Sequence, residues 1–300
     1  MTDGFAADPN RYRRRLQDAA PDLAIDRFEY LGQGWDNILF LANGDLVVRF
    51  AKDPHAARQL VTESEILRLV AAPMPVKIPT PWHIDPSSTE RDPALMTYPR
   101  IPGVALEDIE LTDELVAAVA PVLADFLDAL HSIPLSAIGQ IDILRFSPVE
   151  WVNREHALYL RTRDALRDAL EDAIFRRYDD WWSDYLADRA SFEFVPCLVH
   201  GDLVPEHILI GQSPWRVSGV IDFGDAMWTD PALDLAGLPA RLARPVVDRM
   251  RTLTGDRAFW SRREAYQWIA PLHAVAAGLE RGSSELLRGG IDAIREWEPR

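Results

Sequence analysis

Residues 28–50 read FEYLGQGWDNILFLANGDLVVRF, and this stretch sets the first constraint on the fold: β-forming runs are broken once by Gly32-Gln33-Gly34 and again by Asn43-Gly44. The pattern predicts three strands joined by a glycine turn and a hairpin turn. Residues 55–71 then carry Leu60, Ile66, Leu67 and Val70 at mostly helical spacing, which predicts an amphipathic helix. Prolines at 73, 75, 79, 81, 86 and 93 exclude a continuous helix beyond it, and ALMTYPRIPG (94–103) reads as a strand running into a connector. Further on the periodicity is helical. Leu115, Val119, Leu123, Phe126 and Leu130 recur along one face, with Pro121 expected to kink or interrupt that helix. One long helical region is expected over residues 148–186, and more helix after Arg241. The class is α+β, with a small sheet-rich N-terminal lobe over residues 1–100 and a larger, mainly helical lobe over 101–300.

Charge narrows the partners. Lys and Arg total 32 against 47 Asp and Glu, a net charge of −15 that repels phosphate backbones and anionic lipid. No nucleic-acid or membrane partner is expected, whereas a cationic small molecule is attracted; nothing in the sequence specifies an oligomeric state. The single cysteine, Cys197, excludes an internal disulfide and reads as a core thiol. The N-terminal MTDGFAADPNRYRRRLQ lacks the apolar centre of a signal peptide, and no run approaches the ~18 apolar residues of a membrane span, so a cytoplasmic location is expected.

Residues 198–211, LVHGDLVPEHILIG, place His200, Asp202 and His207 at short fixed intervals. Phosphoryl transfer asks for an aligned hydroxyl, a carboxylate to take its proton and cations against the phosphates. The kinase signature H-R-D-x-x-x-x-N supplies a base aspartate and, five residues later, a metal ligand. Here Asp202 stands at the first position and His207 at the second, where Asn is usual; an imidazole also offers a lone pair, although Mg²⁺ prefers oxygen. Twenty residues after Asp202, VIDFGDA offers Asp222 as the second metal-holding carboxylate, anchored by Val220 and Ile221. The runs ILIG and WRVSGVI between them read as a hairpin that gathers Asp202, His207 and Asp222 at one end.

The first lobe adds matching parts. Gly32 and Gly34 either let backbone N–H groups approach phosphate oxygens or simply form a turn, and Asn37 replaces the third glycine of G-x-G-x-x-G. Arg49 on LVVRF is the inward cation, with Lys52 its alternative under a shifted register; Glu63 pairs with it, with Glu65 as competitor. His200 reads as structural, and Asp225, Asp230 and Asp234 as loop-capping or supporting groups. The segment DDWWSDYLAD (179–188) admits a substrate-binding reading, but packed aromatics and solvated acids account for it better; Glu280 and Glu285 have the same standing.

Taken in order, the glycine loop, VVRF, TESEILRLV, LMTYPRIPG, FLDALHSIP, LVHGDLVPEHILI and VIDFGDAMWTDPALDLA make the chain resemble the aminoglycoside phosphotransferase family. The resemblance implies a protein-kinase-like two-lobe fold and an interlobe site for ATP or GTP, its base near Tyr98, Pro99, Ile101 and Ile221. It also implies Asp202 as catalytic base, with Mg²⁺ as cofactor. Histidine at 207 is associated with the aminoglycoside 2″-phosphotransferase and macrolide phosphotransferase branches, so the implied acceptor is a hydroxyl of such an antibiotic. The alternatives are a kinase of a small hydroxylated metabolite such as an amino alcohol or sugar, a non-catalytic nucleotide-binding module, and a metal-dependent hydrolase.

Overall fold

A computed structural model describes residues 8–296 apart from 88, 90, 91, 189–191, 213 and 254. Residues 1–7, the start of MTDGFAADPNRYRRRLQ, lie outside the described residues. In chain order the helices and strands are α1 (Pro9–Ala19), β1 (Phe28–Gln33), β2 (Asn37–Ala42), β3 (Leu46–Ala51), α2 (Pro54–Val70), β4 (His83–Asp85), β5 (Leu95–Pro99), β6 (Val104–Ala105), α3 (Asp113–His131) and α4 (Leu135–Ile138). There follow α5 (Pro148–Ala169), α6 (Asp172–Ala187), β7 (Cys197–Val199), β8 (Ile208–Gly211), β9 (Arg216–Val220), β10 (Met227–Thr229), α7 (Leu233–Ala236), α8 (Ala240–Val247), α9 (Phe259–Arg281) and α10 (Ser284–Arg295). They group into two units, one made of the chain up to Ile143 and Val204–Ala226, the other of Leu144–Leu203 and the chain from Met227 on.

In the first unit the two glycine breaks give the expected antiparallel strands, extended to a five-stranded sheet in the order β1-β2-β3-β5-β4. Asn43 and Gly44 both take positive φ, 54° and 84°, as a tight hairpin turn requires. One face is filled by Phe40, Phe50 and Leu95, on which α1 lays Tyr12 and Leu16; the Tyr12 ring lies 5.1 Å from Phe40 and 4.8 Å from Phe50. The expected helix forms as α2, started by Asp53, whose Oδ1 accepts from His55 and Ala56 N–H.

The compact units do not divide at residue 100. Strand β6 pairs with β8, Val104 opposite Ile210, and β8 pairs with β9 in a three-stranded sheet. Lys77 bridges to Gly219, where an added Cβ would lie 2.7 Å from the Lys77 carbonyl and from Ile101. The returning hairpin is thereby knitted to the first unit. Pro121 does not interrupt α3: it costs one backbone bond, while Leu115, Val119, Leu123, Phe126 and Leu130 are all buried and hold the helix.

In the second unit the helical region expected over 148–186 forms as two helices. A Ser147–Glu150 capping box starts α5, and extended backbone at Leu170 and Glu171 separates it from α6. Tyr178, Trp182 and Tyr185 of α6 are buried, with Trp182 stacked on Tyr159 at 4.7 Å, and Asp179 pairs with Arg163 at 2.7 Å. That is the packed-core arrangement. Cys197 is buried as well, and burial pushes its thiol pKa up, out of the reactive range. Among the described residues no helix is long and apolar enough to cross a membrane.

Helices α9 and α10 approach closely through glycine. A Cβ on Gly290 would sit 2.7 Å from the Pro271 carbonyl and from Val275, whereas a Cβ on its neighbour Gly289 would meet nothing within 4 Å. The two substitutions therefore carry opposite signs. Gly290→Ala is expected to destabilise by about 1–3 kcal/mol, and Gly289→Ala to stabilise by about 0.5–1 kcal/mol through helix propensity; urea unfolding midpoints of the two variants check this pair.

Candidate active site

Strand β3 buries nearly every side chain it carries, and Arg49 is among them at 5% exposure. A guanidinium so placed needs a carboxylate. Glu63, 2% exposed on α2, supplies it, with Oε1 2.6 Å from Arg49 Nη1. Glu65 is exposed, and Lys52 lies outside the strand at the surface, so the pair that forms is Arg49–Glu63. Arg49 Nη2 also lies 3.6 Å from Asp222 Oδ1. Burial opposes the Arg49 charge, but Glu63 and then Asp222 outweigh it and hold the guanidinium above its ordinary range. Burial pushes the Glu63 carboxyl the other way, up to about 7, against the pull of Arg49.

Asp222 follows β9 with φ +65°, a left-handed conformation that Asp tolerates better than most residues. The turn sends Phe223 inward onto Phe126, ring centres 6.4 Å apart, and leaves the Asp222 side chain 45% exposed. His207 ends a short 3-10 turn, Pro205–His207, and its carbonyl accepts from Ile221 N–H at 3.0 Å. Its Nε2 stands 3.8 Å from Asp222 Oδ2. The hairpin thus unites two of the three residues expected at its end, His207 and Asp222. Among the described residues no three His, Cys, Asp or Glu side chains form a metal cage. One carboxylate with one imidazole nonetheless fits Mg²⁺, which commonly takes one or two protein carboxylates and completes its shell with water and substrate phosphate.

Tyr98 brings a contact that its expected backbone role does not include. The register pairs Val47 with Tyr98, which puts the phenol on the face of the sheet that carries Arg49, within the field of the guanidinium. Burial raises the Tyr98 phenol to about 12. The period-2 alternation of LVVRF, combined with that pairing, is the signal that would have found it. Pro99 pairs with Leu46 at the strand end, Ile101 is buried against the Gly219 position, and Ile221 is partly buried. Gly32 lies in β1, paired with Leu39 beside a register shift, and Gly34 lies in the β1–β2 connection, where its N–H donates to the Asn37 carbonyl at 3.0 Å; neither glycine has an atom within 4 Å of where a Cβ would sit.

Asp202 belongs to the second unit, and other groups fix it. The Asp234 carboxylate accepts from His200 N–H at 3.1 Å and from Gly201 N–H at 2.9 Å. Fully buried His200 turns Nδ1 to the Asp202 N–H at 3.3 Å, so this nitrogen is the unprotonated one and the histidine shapes the loop. Asp230 accepts from Ala232 N–H at 2.9 Å and from buried Arg262 at 2.5 Å. Asp230 and Asp234 thus support the loops around them. Asp225 is exposed.

Residues 27–272 match the family model described as the phosphotransferase enzyme family. Viomycin phosphotransferase of Streptomyces vinaceus is 28% identical over 257 residues, 83% of this chain and 86% of that one. Among solved structures, an APH(2″) enzyme in complex with GDP and kanamycin superposes with a TM-score of 0.83 at 25% identity, over 95% of this chain and 97% of that one. A macrolide 2′-phosphotransferase from Brachybacterium faecium shares the fold, with a TM-score of 0.75 at 22% identity over 95% and 99% of the two chains. The fold is the protein-kinase-like one, as the motif order implied. Since the family match extends from the first strand of the sheet into α9, the likeness covers the whole framework that carries Arg49, Asp202 and Asp222: this chain belongs to the phosphotransferase enzyme family and is an enzyme that phosphorylates hydroxyl groups.

Proposed function

We propose that the enzyme transfers the γ-phosphate of ATP or GTP to a hydroxyl of an aminoglycoside or macrolide antibiotic, with Mg²⁺ as the accompanying ion. The observation that carries this reading is the buried Arg49–Glu63 pair lying beside a half-exposed Asp222, a fixed cation next to a carboxylate that remains accessible. Phosphoryl transfer through a loose transition state needs such alignment and charge neutralisation more than strong covalent help. In this reading Arg49 anchors the phosphates and Gly32 and Gly34 cover them. Tyr98, Pro99, Ile101 and Ile221 meet the base, Pro99 only as an acceptor because it has no N–H.

Asp202 orients the acceptor hydroxyl and takes its proton as the bond to phosphorus forms. Asp222 and His207 would hold Mg²⁺, whose contribution is to neutralise charge on the phosphates. Nucleotide binding is assigned mainly to residues 1–100, and catalysis and acceptor binding to residues 101–300. The net charge of −15 favours a cationic acceptor. So do two relatives, one named for viomycin and one crystallised with kanamycin. The reaction is assigned to the cytoplasm, where a chain with one buried thiol and no disulfide is at home.

A phosphorylation screen over aminoglycosides, macrolides, viomycin, amino alcohols and sugars, each with ATP and with GTP, tests the acceptor class. Nucleoside diphosphate release dependent on an antibiotic is the expected result; release dependent only on a metabolite would replace the antibiotic reading. Asp202→Ala is expected to lower turnover about 100- to 10,000-fold while nucleotide with Mg²⁺ still raises the thermal midpoint. Turnover at the wild-type rate in that variant would remove Asp202 from the role of base.

A further inference from the structure

Lys52 does not point into the group formed by Arg49, Glu63 and Asp222. It lies one residue past β3 and is tied twice to the turn that separates β1 from β2. Its ammonium donates to the Gly34 carbonyl at 2.5 Å, and its own backbone N–H donates to the Asp36 carbonyl at 2.8 Å. Gly34 N–H closes the same turn on Asn37. A turn that opens on Gly34 has many backbone conformations open to it, since no Cβ restricts that residue and nothing packs where one would be. Two bonds from one residue select a single conformation. The bond to the Gly34 carbonyl is charge-assisted and belongs to the stronger class.

The bond has a directional consequence. A trans peptide sets its C=O and N–H in opposite directions, so anchoring the Gly34 carbonyl on Lys52 fixes the way the Gly34–Trp35 peptide turns its N–H. Backbone N–H orientation is what lets a glycine turn hold an anion. The anchor is well placed to link the parts. Arg49 lies three residues before Lys52 on β3, and Asp53, the next residue, caps the helix that carries Glu63.

We propose that Lys52 is a positioning residue for the nucleotide: it latches the Gly34–Asp36 turn in the conformation that receives the phosphates and acts through the Gly34–Trp35 peptide, not by touching phosphate itself. This rests on the nucleotide-dependent reading above. The side chain is exposed, so the latch orders the turn without holding up the core.

The test compares wild type with Lys52→Met, which keeps the stem without the donor, and Lys52→Arg, which keeps a donor. Three readouts are needed: amide exchange of residues 34–37 without ligand, affinity for ATP and GTP by calorimetry, and steady-state kinetics. Lys52→Met is expected to speed exchange in the turn and weaken nucleotide binding about tenfold, with kcat at saturating nucleotide within about threefold and an unchanged unfolding midpoint; Lys52→Arg recovers most of the affinity. Unchanged affinity in Lys52→Met overturns the proposal, whatever the exchange shows. Weakened affinity with unchanged exchange also overturns it, because Lys52 would then contact phosphate directly, and so does a collapse of kcat at constant KM. If wild type itself binds neither ATP nor GTP, the nucleotide reading falls first and the latch falls with it, an outcome distinct from a wild type that binds and a variant that binds equally.

Discussion

A guanidinium cannot stand alone in a protein interior, and the position of Arg49 on β3 governs much of what surrounds it. Removing one partner from a buried pair of this kind costs about 3–5 kcal/mol, because the other charge is left uncompensated. The requirement brings α2 against β3 and β5 so that Glu63 reaches the strand. The Tyr98 phenol lies on the same face of the sheet, within the field of that guanidinium. What is left of the Arg49 charge faces Asp222, whose left-handed backbone turns Phe223 inward and keeps the carboxylate accessible. A charge that stability alone would not favour is thereby kept next to an accessible carboxylate.

The second unit answers the same electrostatic demand with a different aim. Its buried charges do not wait for a ligand: Arg262 is shared by Asp230 and Asp256, Tyr266 donates to Asp230, and Trp151 donates to Tyr266. Each group finds a partner inside the protein, which is the condition under which a buried polar network rigidifies its surroundings. Four residues after Asp230, Asp234 takes up the backbone N–H groups of His200 and Gly201. The backbone of the loop carrying Asp202 is therefore held by Asp234, and Asp202 is left partly exposed.

Hinge-like freedom and fixed geometry meet at the β1–β2 turn. Glycine there keeps side chains away from whatever binds, but it also leaves the backbone undecided. Lys52 resolves the conflict from outside the turn, using a side chain and a main-chain donor of one residue. Two cations three residues apart on the chain thus make different contacts, one in the interior and one at the surface.

Local physics was enough for much of this. The glycine breaks between residues 28 and 50 specify antiparallel strands because a tight turn needs positive φ. The intervals from Asp202 to His207 and Asp222 match the kinase signature, and the chain has the protein-kinase-like fold of a phosphotransferase. Helix boundaries were less legible. Pro121 signals a break that buried Leu115, Val119, Leu123, Phe126 and Leu130 override, and the interruption at Leu170 has no proline or glycine to announce it. Tertiary structure settled Glu63 over Glu65 and Arg49 over Lys52, which the sequence had only ranked, and it alone returned residues 204–226 to the first unit through the pairing of β6 with β8. Composition and period describe what a residue prefers along its own chain; which partner it meets depends on register and packing between distant segments, and in a sheet one residue of slip turns every side chain to the other face.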